Sequence, residues 1–317
     1  MTAVLRHPEY GYYVRKDPFG TDGDSVTAPE ISQMFGELIG LWCAVTWRQL
    51  GSPSPVALVE LSAGRGTLMA GALRALEMAL DFLECADVHF VKASPVLRRR
   101  QREALSGHTV TWHYGVEDIP DGAVMLVANE FLDALAIRQL VRRDDAWHER
   151  LIAWEDDGFR FLLDPAASPL AVLFPDALSE GDPNGEIAEV SPAVLGLARA
   201  ISSRIARDGG AALFIDYGHT ESALGEPLQA VRDHALAGVL ADPGSADLTA
   251  HVDFGAFARA EGNAAVHGPV VQGAFLECLG IGERSRKLME TASPHLCEAV
   301  AMAHRRLTDP AEMGQLF

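Results

Sequence analysis

The run from Val56 to Leu83 constrains the fold more than any other stretch. VALVEL (56–61) is a short apolar strand pattern with a carboxylate near its end, SAGRG (62–66) is a turn carrying Gly64 and Gly66, and TLMAGALRALEMALDFL (67–83) has the length and apolar content of a helix packed on a sheet. The pattern then recurs: VHFVKAS as strand, SPVLRRRQREAL as helix, TVTWHYGVEDI as a third strand and AVMLVANEF as a fourth. Strands that alternate with helices imply right-handed crossovers and a parallel sheet, with ligands bound outside the carboxyl ends of the strands. The expected fold is α/β: a Rossmann-like sheet with helices on both faces. At 317 residues, 48% hydrophobic and 22% charged, the chain can bury one main core.

Two further parts flank that pattern. The segment HPEYGYYVRKDPFGTDGDSVTAPEISQ has little periodicity and is expected as an ordered loop. Thr27 and Glu30 then have the spacing of a capping box, with Pro29 in the first turn, and open a helix through MFGELIGLWCAVTWRQL. Residues 1–50 are thus expected as an N-terminal cap segment and helix. From Ile137 to Leu163 the texture changes to strands around charged turns, an antiparallel hairpin lobe inserted near 137–190 in a domain spanning 51–317.

The formal charge of −18 disfavours nucleic acid and anionic membrane surfaces, which are bound mainly through Lys and Arg. Cys43, Cys85, Cys278 and Cys297 show no metal-type spacing and are expected as reduced, buried thiols. No apolar run approaches the roughly 20 residues of a bilayer span, and the N-terminus lacks an apolar signal core, so a cytoplasmic location is expected. A homodimer is left open.

A glycine turn between a parallel strand and a helix brings backbone N–H groups close to a ligand. Gly64 and Gly66 lack the third glycine of the dinucleotide fingerprint, so a nicotinamide cofactor is the weaker reading. On its own the turn is equally consistent with a structural role. Glu60 adds information, because a carboxylate ending an apolar strand is costly unless it is paired. Backbone N–H groups or a cationic ligand would satisfy it, and S-adenosylmethionine carries both an ammonium and a sulfonium.

An ordered series of motifs runs along nearly the whole chain: HPEYGYY, DPFGTDGDSVTAPEISQMFGELIGLW, ELSAGRGTLM, SPVLRRRQ, ANEFLDALAIRQ, IDYGH, ADLTAHVDF, QGAFLECLGI and DPAEMGQLF. In these the chain resembles the MidA family of class I S-adenosylmethionine-dependent methyltransferases, which includes a mitochondrial protein-arginine methyltransferase needed for assembly of respiratory complex I. The resemblance implies a seven-stranded methyltransferase sheet and S-adenosylmethionine as cofactor, held at Glu60, Ser62, Gly64, Arg65 and Gly66. Glu117 and Asp118, after the third strand, match the adenine-contacting position; otherwise they open a solvated turn. Tyr10, Tyr12, Tyr13 and the TAPEISQ segment resemble elements that close over the cofactor.

Asn129, Glu130 and Asp133 follow the fourth strand at the sheet's carboxyl edge and are the candidate catalytic residues. Carboxylates can align a planar guanidinium, and three residues apart on a helical turn Glu130 and Asp133 would face the same way. A capping arrangement at Asn129 or Asp133 is the alternative. The resemblance alone implies arginine as the methylated residue and a respiratory complex I subunit as the protein substrate. The segments Asp216–His219 and Asp247–Asp253 are expected to border the cleft. His219, His251, Asp216 and Asp253 lack short ligand spacing, so no metal is expected.

Three departures from the family matter, one of them Ser25 in place of a usual aromatic together with Pro227 before Leu228-Gln229-Ala230. Ser62 and Ala63 replace the usual Gly-Pro of the turn, and a serine is strained if that position has positive φ. Lys92 stands where the family usually has a Glu, and a lysine cannot accept hydrogen bonds from ribose hydroxyls. These keep a second hypothesis open: a degenerate methyltransferase-like assembly protein with weak or no cofactor binding.

Overall fold

A computed structural model of the protein describes residues 1–15, 27–91, 95–175, 178, 185–260 and 262–317. Its strands are β1 (Val56–Leu61), β2 (Ala86–Val91), β3 (Val110–His113), β4 (Ala123–Asn129), β5 (Arg138–Arg143), β6 (Ala146–Glu155), β7 (Gly158–Ala167), β8 (Ile187–Val190), β9 (Gly210–Ile215), β10 (Gly218–His219), β11 (Gln229–Arg232), β12 (Ala235–Ala237), β13 (Asp247–Thr249) and β14 (Val252–Asp253). The chain divides into two compact units. One comprises Asp17–Phe131, Ser203–Asp216 and His267–Phe317; the other comprises Met1–Lys16, Leu132–Ser202 and Tyr217–Val266.

The first unit holds a parallel sheet in the order β3-β2-β1-β4-β9. β1 is its centre and is buried along its whole length, as an apolar parallel strand covered on both faces must be. Among the described residues the sheet has five strands, where seven were expected. After β9 the chain instead forms β10 to β14 in small separate sheets of the other unit, and residues 272–308 return to this unit as the helices Gln272–Cys278, Ile281–Met289 and Pro294–Thr308.

The helix expected over 67–83 is broken into Thr67–Leu76 and Leu80–Leu83. The helix Gln33–Gln49 packs closely on Thr67–Leu76 through small residues. A Cβ at Gly36 would lie 2.6 Å from the Leu68 carbonyl oxygen, and one at Gly40 would lie 2.6 Å from that of Ala72. Side chains at these positions would force the helices apart, and with them the turn that precedes Thr67. Glu37, buried in the same helix, is held by two bonds from Arg284, at 2.7 and 3.1 Å.

The capping box at Thr27 does not form. Thr27 makes no side-chain cap; Ala28–Ile31 is a single turn, and Ser32, in extended conformation, caps the longer helix by accepting the Met34 N–H. Extended Ser32 interrupts the helical path, which frees Glu30 to point elsewhere. The opening loop also contains short helices, Thr2–Arg6 and Tyr12–Arg15.

The second unit contains the antiparallel lobe, in the order β7-β6-β5-β8. Its tight turns use acids that tolerate positive φ: Asp144 at 51°, Asp156 at 48° and Asp157 at 64°. One face of the lobe buries Leu140, Trp147, Ala188 and Val190. A separate cluster packs Leu5 and Tyr12 on Ala230, Ala246 and Leu248. Of the cysteines only Cys43 is fully buried, and Cys278 is exposed, contrary to the expectation that all four would be interior.

Candidate functional site

In the first unit, β1 delivers Glu60 to the carboxyl edge of the sheet. The side chain is 4% exposed, and burial pushes its pKa up to about 8 although the Met69 N–H favours the ionised form. Its Oε2 is buried without a hydrogen-bond partner. A carboxyl in this state is short of a cation or a donor.

The chain then turns sharply. Ser62 has φ +54°, Gly64 +46° and Gly66 +85°. The Gly64 N–H donates to the Ser62 carbonyl and the Gly66 N–H to that of Ala63, both at 2.6 Å. Only glycine enters this region freely; Ser62 occupies it at a cost of about 1–2 kcal/mol. The strain that a serine meets at positive φ is therefore present.

What fixes the turn is Gln101, a residue that motif reading missed. Its amide donates to the Gly64 carbonyl at 2.8 Å and accepts from the Trp112 indole at 2.8 Å. It is fully buried, on the helix Pro95–Ala104. The signal was readable: Leu97, Gln101 and Leu105 share one helical stripe, all three are buried, and Gln101 is the only polar member. Arg65 lies 3.8 Å from Glu30, whose Oε1 also accepts the Thr67 hydroxyl at 2.5 Å. This ties the 28–31 turn to the start of the helix that follows the loop.

Asn129 ends β4 and Glu130 follows it with φ +46°. That conformation is incompatible with a right-handed helix, so the expected helical turn through 130–133 is absent. Glu130 Oε1 accepts the Ala28 N–H and the Asn129 side-chain amide, each at 3.3 Å. Asn129 Oδ1 is buried without a partner. The Phe131 N–H is capped by Asp216 Oδ2 at 3.0 Å, and Asp216 exchanges backbone bonds with Phe317. Strained, non-glycine backbone at a carboxylate-bearing turn is a recurrent mark of functional sites.

Asp133 belongs to the other compact unit. It is 7% exposed, and its carbonyl accepts the Ala250 N–H at 3.0 Å. In the same unit the hydroxyl of the half-buried Tyr13 donates to Asp247 Oδ1 at 2.9 Å; desolvation and then Asp247 and Asp133 hold the Tyr13 pKa well above its usual value.

After β3, Asp118 Oδ2 accepts the N–H groups of Tyr114 and Gly115, at 3.2 and 3.0 Å, and so closes its own turn. Glu117 lies over Gly115, where a Cβ would collide with its carboxylate. Both acids are exposed. Lys92 lies outside the described residues.

Comparison with known proteins is consistent across sequence and structure. Residues 38–270 match the model of a family described as S-adenosyl-L-methionine-dependent methyltransferases. The chain is similar, over its full length, to a mitochondrial protein arginine methyltransferase NDUFAF7 homolog of Drosophila melanogaster, with 37% identity and 78% of that protein covered. Its similarity to the mitochondrial protein arginine methyltransferase NDUFAF7 of Homo sapiens is 34% over the full chain and 77% of the relative. A Burkholderia thailandensis protein, solved with S-adenosyl-homocysteine and described as a COG1565 superfamily member, superposes with a TM-score of 0.83 at 29% identity, over 99% of this chain and 84% of that one. The mitochondrial designation of the curated relatives overturns the cytoplasmic expectation.

Proposed function

Because the chain belongs to the MidA family of class I S-adenosylmethionine-dependent methyltransferases, we propose that it transfers a methyl group to arginine in a protein partner, with Glu130 aligning the guanidinium. The enzyme is a methyltransferase and S-adenosylmethionine is its cofactor. The residues of the first unit fit that group. A positive-φ turn of small residues, the unpaired Glu60 Oε2 and the unpaired Asn129 Oδ1 offer acceptors and backbone room at the ends of β1 and β4.

On this reading Glu60 receives the ammonium, and Ser62, Gly64, Arg65 and Gly66 surround the methionine part. Glu117 and Asp118 serve the adenine side, with Asp118 Oδ2 also closing its own turn. Lys92 is the family-assigned ribose position by sequence alone. When bound, the cofactor supplies an electrophilic methyl on a sulfonium.

The residues of this chain do the positioning. Glu130 and Asn129 hold polar atoms at the carboxyl edge of β4, where an incoming guanidinium would be oriented, and positioning is most of what methyl transfer needs. Transfer would form a C–N bond as the S–C bond breaks, with S-adenosyl-homocysteine as the leaving product and one proton passing from the guanidinium nitrogen to solvent. The relatives' printed activity supports arginine as the target. A respiratory complex I subunit as the partner rests on the family resemblance.

The observation that carries the reading is Glu130 at the carboxyl end of β4, its backbone at φ +46° and its carboxylate pinned by the Ala28 N–H and the Asn129 amide. Incubation with isotopically labelled S-adenosylmethionine and a mitochondrial protein extract, read by peptide mass spectrometry, tests it. Label on arginine supports the proposal; label on lysine or carboxyl groups only would overturn it.

A further inference from the structure

The unit containing the antiparallel lobe has a cavity lined wholly by its own residues. Its walls are mostly apolar, including Leu132, Ile137, Phe174 and Val194, but Glu189, His219 and His251 also line it. Glu189 stands out. Its Oε1 accepts the Gln139 side-chain amide at 2.8 Å and the Leu228 N–H at 3.3 Å, whereas Oε2 is buried and has no partner.

The Gln139 amide cannot turn round to relieve this. Its own oxygen accepts from Arg150 at 3.2 Å, and Arg150 is in turn paired with Glu226, so the N–H end must face Glu189. Asp253, another lining residue, is already used: Oδ1 accepts the Ala256 N–H at 2.7 Å and Oδ2 the Ser222 hydroxyl at 2.5 Å. Among the described lining residues, Glu189 is the one with a buried side-chain oxygen that lacks a partner. Ionised, it has a buried oxygen with no direct ion pair, since the nearby Arg150 is engaged by Gln139 and Glu226; protonated, its O–H has no acceptor.

We propose that this cavity binds an arginine side chain of a protein partner, with Glu189 as the counter-charge and the apolar walls taking the methylene stem. A guanidinium suits the place better than an ammonium. It is planar, more weakly hydrated, and stacks on flat rings such as His219 and His251. The chain's charge of −18 draws basic partners at longer range. The inference rests on an arginine-bearing partner and assigns it a second arginine contact, apart from the methylated one.

The groups facing Glu189 give the interaction a pH signature. Burial pushes its pKa up to about 7, Glu226 adds to the rise, and Gln139, the Leu228 N–H and Arg150 oppose it. His251, pushed below its usual value by burial and by His219, does not compete as a cation where Glu189 ionises. A bound guanidinium requires the ionised carboxylate, so binding strengthens as pH rises through 7.

Calorimetric titration of the folded full chain with Nα-acetyl-arginine amide, against the isosteric neutral Nα-acetyl-citrulline amide, tests this without cofactor or turnover. Arginine amide should bind at least tenfold tighter than citrulline amide at pH 8, and about tenfold weaker at pH 6 than at pH 8. Glu189→Gln, which keeps shape and both donors' partner, should abolish the preference and the pH dependence while leaving the melting temperature near that of the parent. Equal binding of the two amides, or an arginine preference untouched by Glu189→Gln, would overturn the inference. A preference lost in Glu130→Gln but retained in Glu189→Gln would place the arginine at the methyl-transfer site and leave the proposed function standing.

Discussion

The Gln101 amide donates to the Gly64 carbonyl at 2.8 Å and thereby fixes the loop that the glycines make possible. Glycines permit the turn but do not select it; the selection comes from a buried amide on the next helix, held by Trp112. Gln101→Leu leaves the Gly64 carbonyl and the Trp112 indole unmet, at about 1–3 kcal/mol. Urea denaturation should show that loss, and titration with S-adenosyl-homocysteine should show affinity roughly tenfold weaker, the equivalent of about 1.4 kcal/mol of lost preorganisation.

Ser62 keeps the turn at a cost. Ser62→Gly removes the side chain that disfavours φ +54°. The unliganded protein should gain about 0.5–1 kcal/mol, the relief of left-handed strain less the added freedom of the unfolded chain. Thermal unfolding of parent and variant checks this, and a lower melting temperature in Ser62→Gly would refute it.

Glu60 makes both stability and binding depend on pH. Its folded pKa, about 8, lies above the ordinary carboxyl value, so the folded state holds a proton that the unfolded state has lost. Stability from this group is complete below the unfolded pKa and is lost as pH rises from the ordinary carboxyl range through 8. Glu189, raised to about 7, acts in the same direction. Cofactor binding should run the opposite way, because pairing with an ammonium needs the ionised form: affinity should rise by about tenfold per pH unit below 8 and then level off. Glu60→Gln should flatten both profiles, as measured by denaturation and titration at pH 5, 7 and 9.

Glu130→Gln should retain cofactor binding and lose methyl transfer, by a factor on the order of 10² to 10³, the usual cost of removing one charge-aligning group. Single-turnover transfer to an arginine peptide, with parallel titration of S-adenosyl-homocysteine, separates the two effects.

Much of this architecture was legible because it depends on local pattern. VALVEL, VHFV and AVMLVAN became β1, β2 and β4, and the charged DD pairs became the hairpin turns of the lobe. For Ser62 the sequence leaves strain conditional on a positive φ, and the φ of +54° meets that condition. What sequence did not disclose was set by partners distant along the chain. Glu30, 37 residues before Thr67, gives up its capping role to meet that hydroxyl. Asp216, 85 residues after Phe131, caps its N–H, and the left-handed Glu130 ends any helix there. Among the described residues the parallel sheet stops at five strands, because the chain after β9 goes into small sheets and terminal helices.

Occupancy of the turn by the cofactor is the claim on which the rest depends, and isothermal titration of the folded protein with S-adenosyl-homocysteine at pH 8 tests it most directly. The account predicts one saturable site, weakened by Gln101→Leu and by Glu60→Gln. No detectable binding by protein shown to be folded would contradict it and leave a methyltransferase fold that has lost its cofactor.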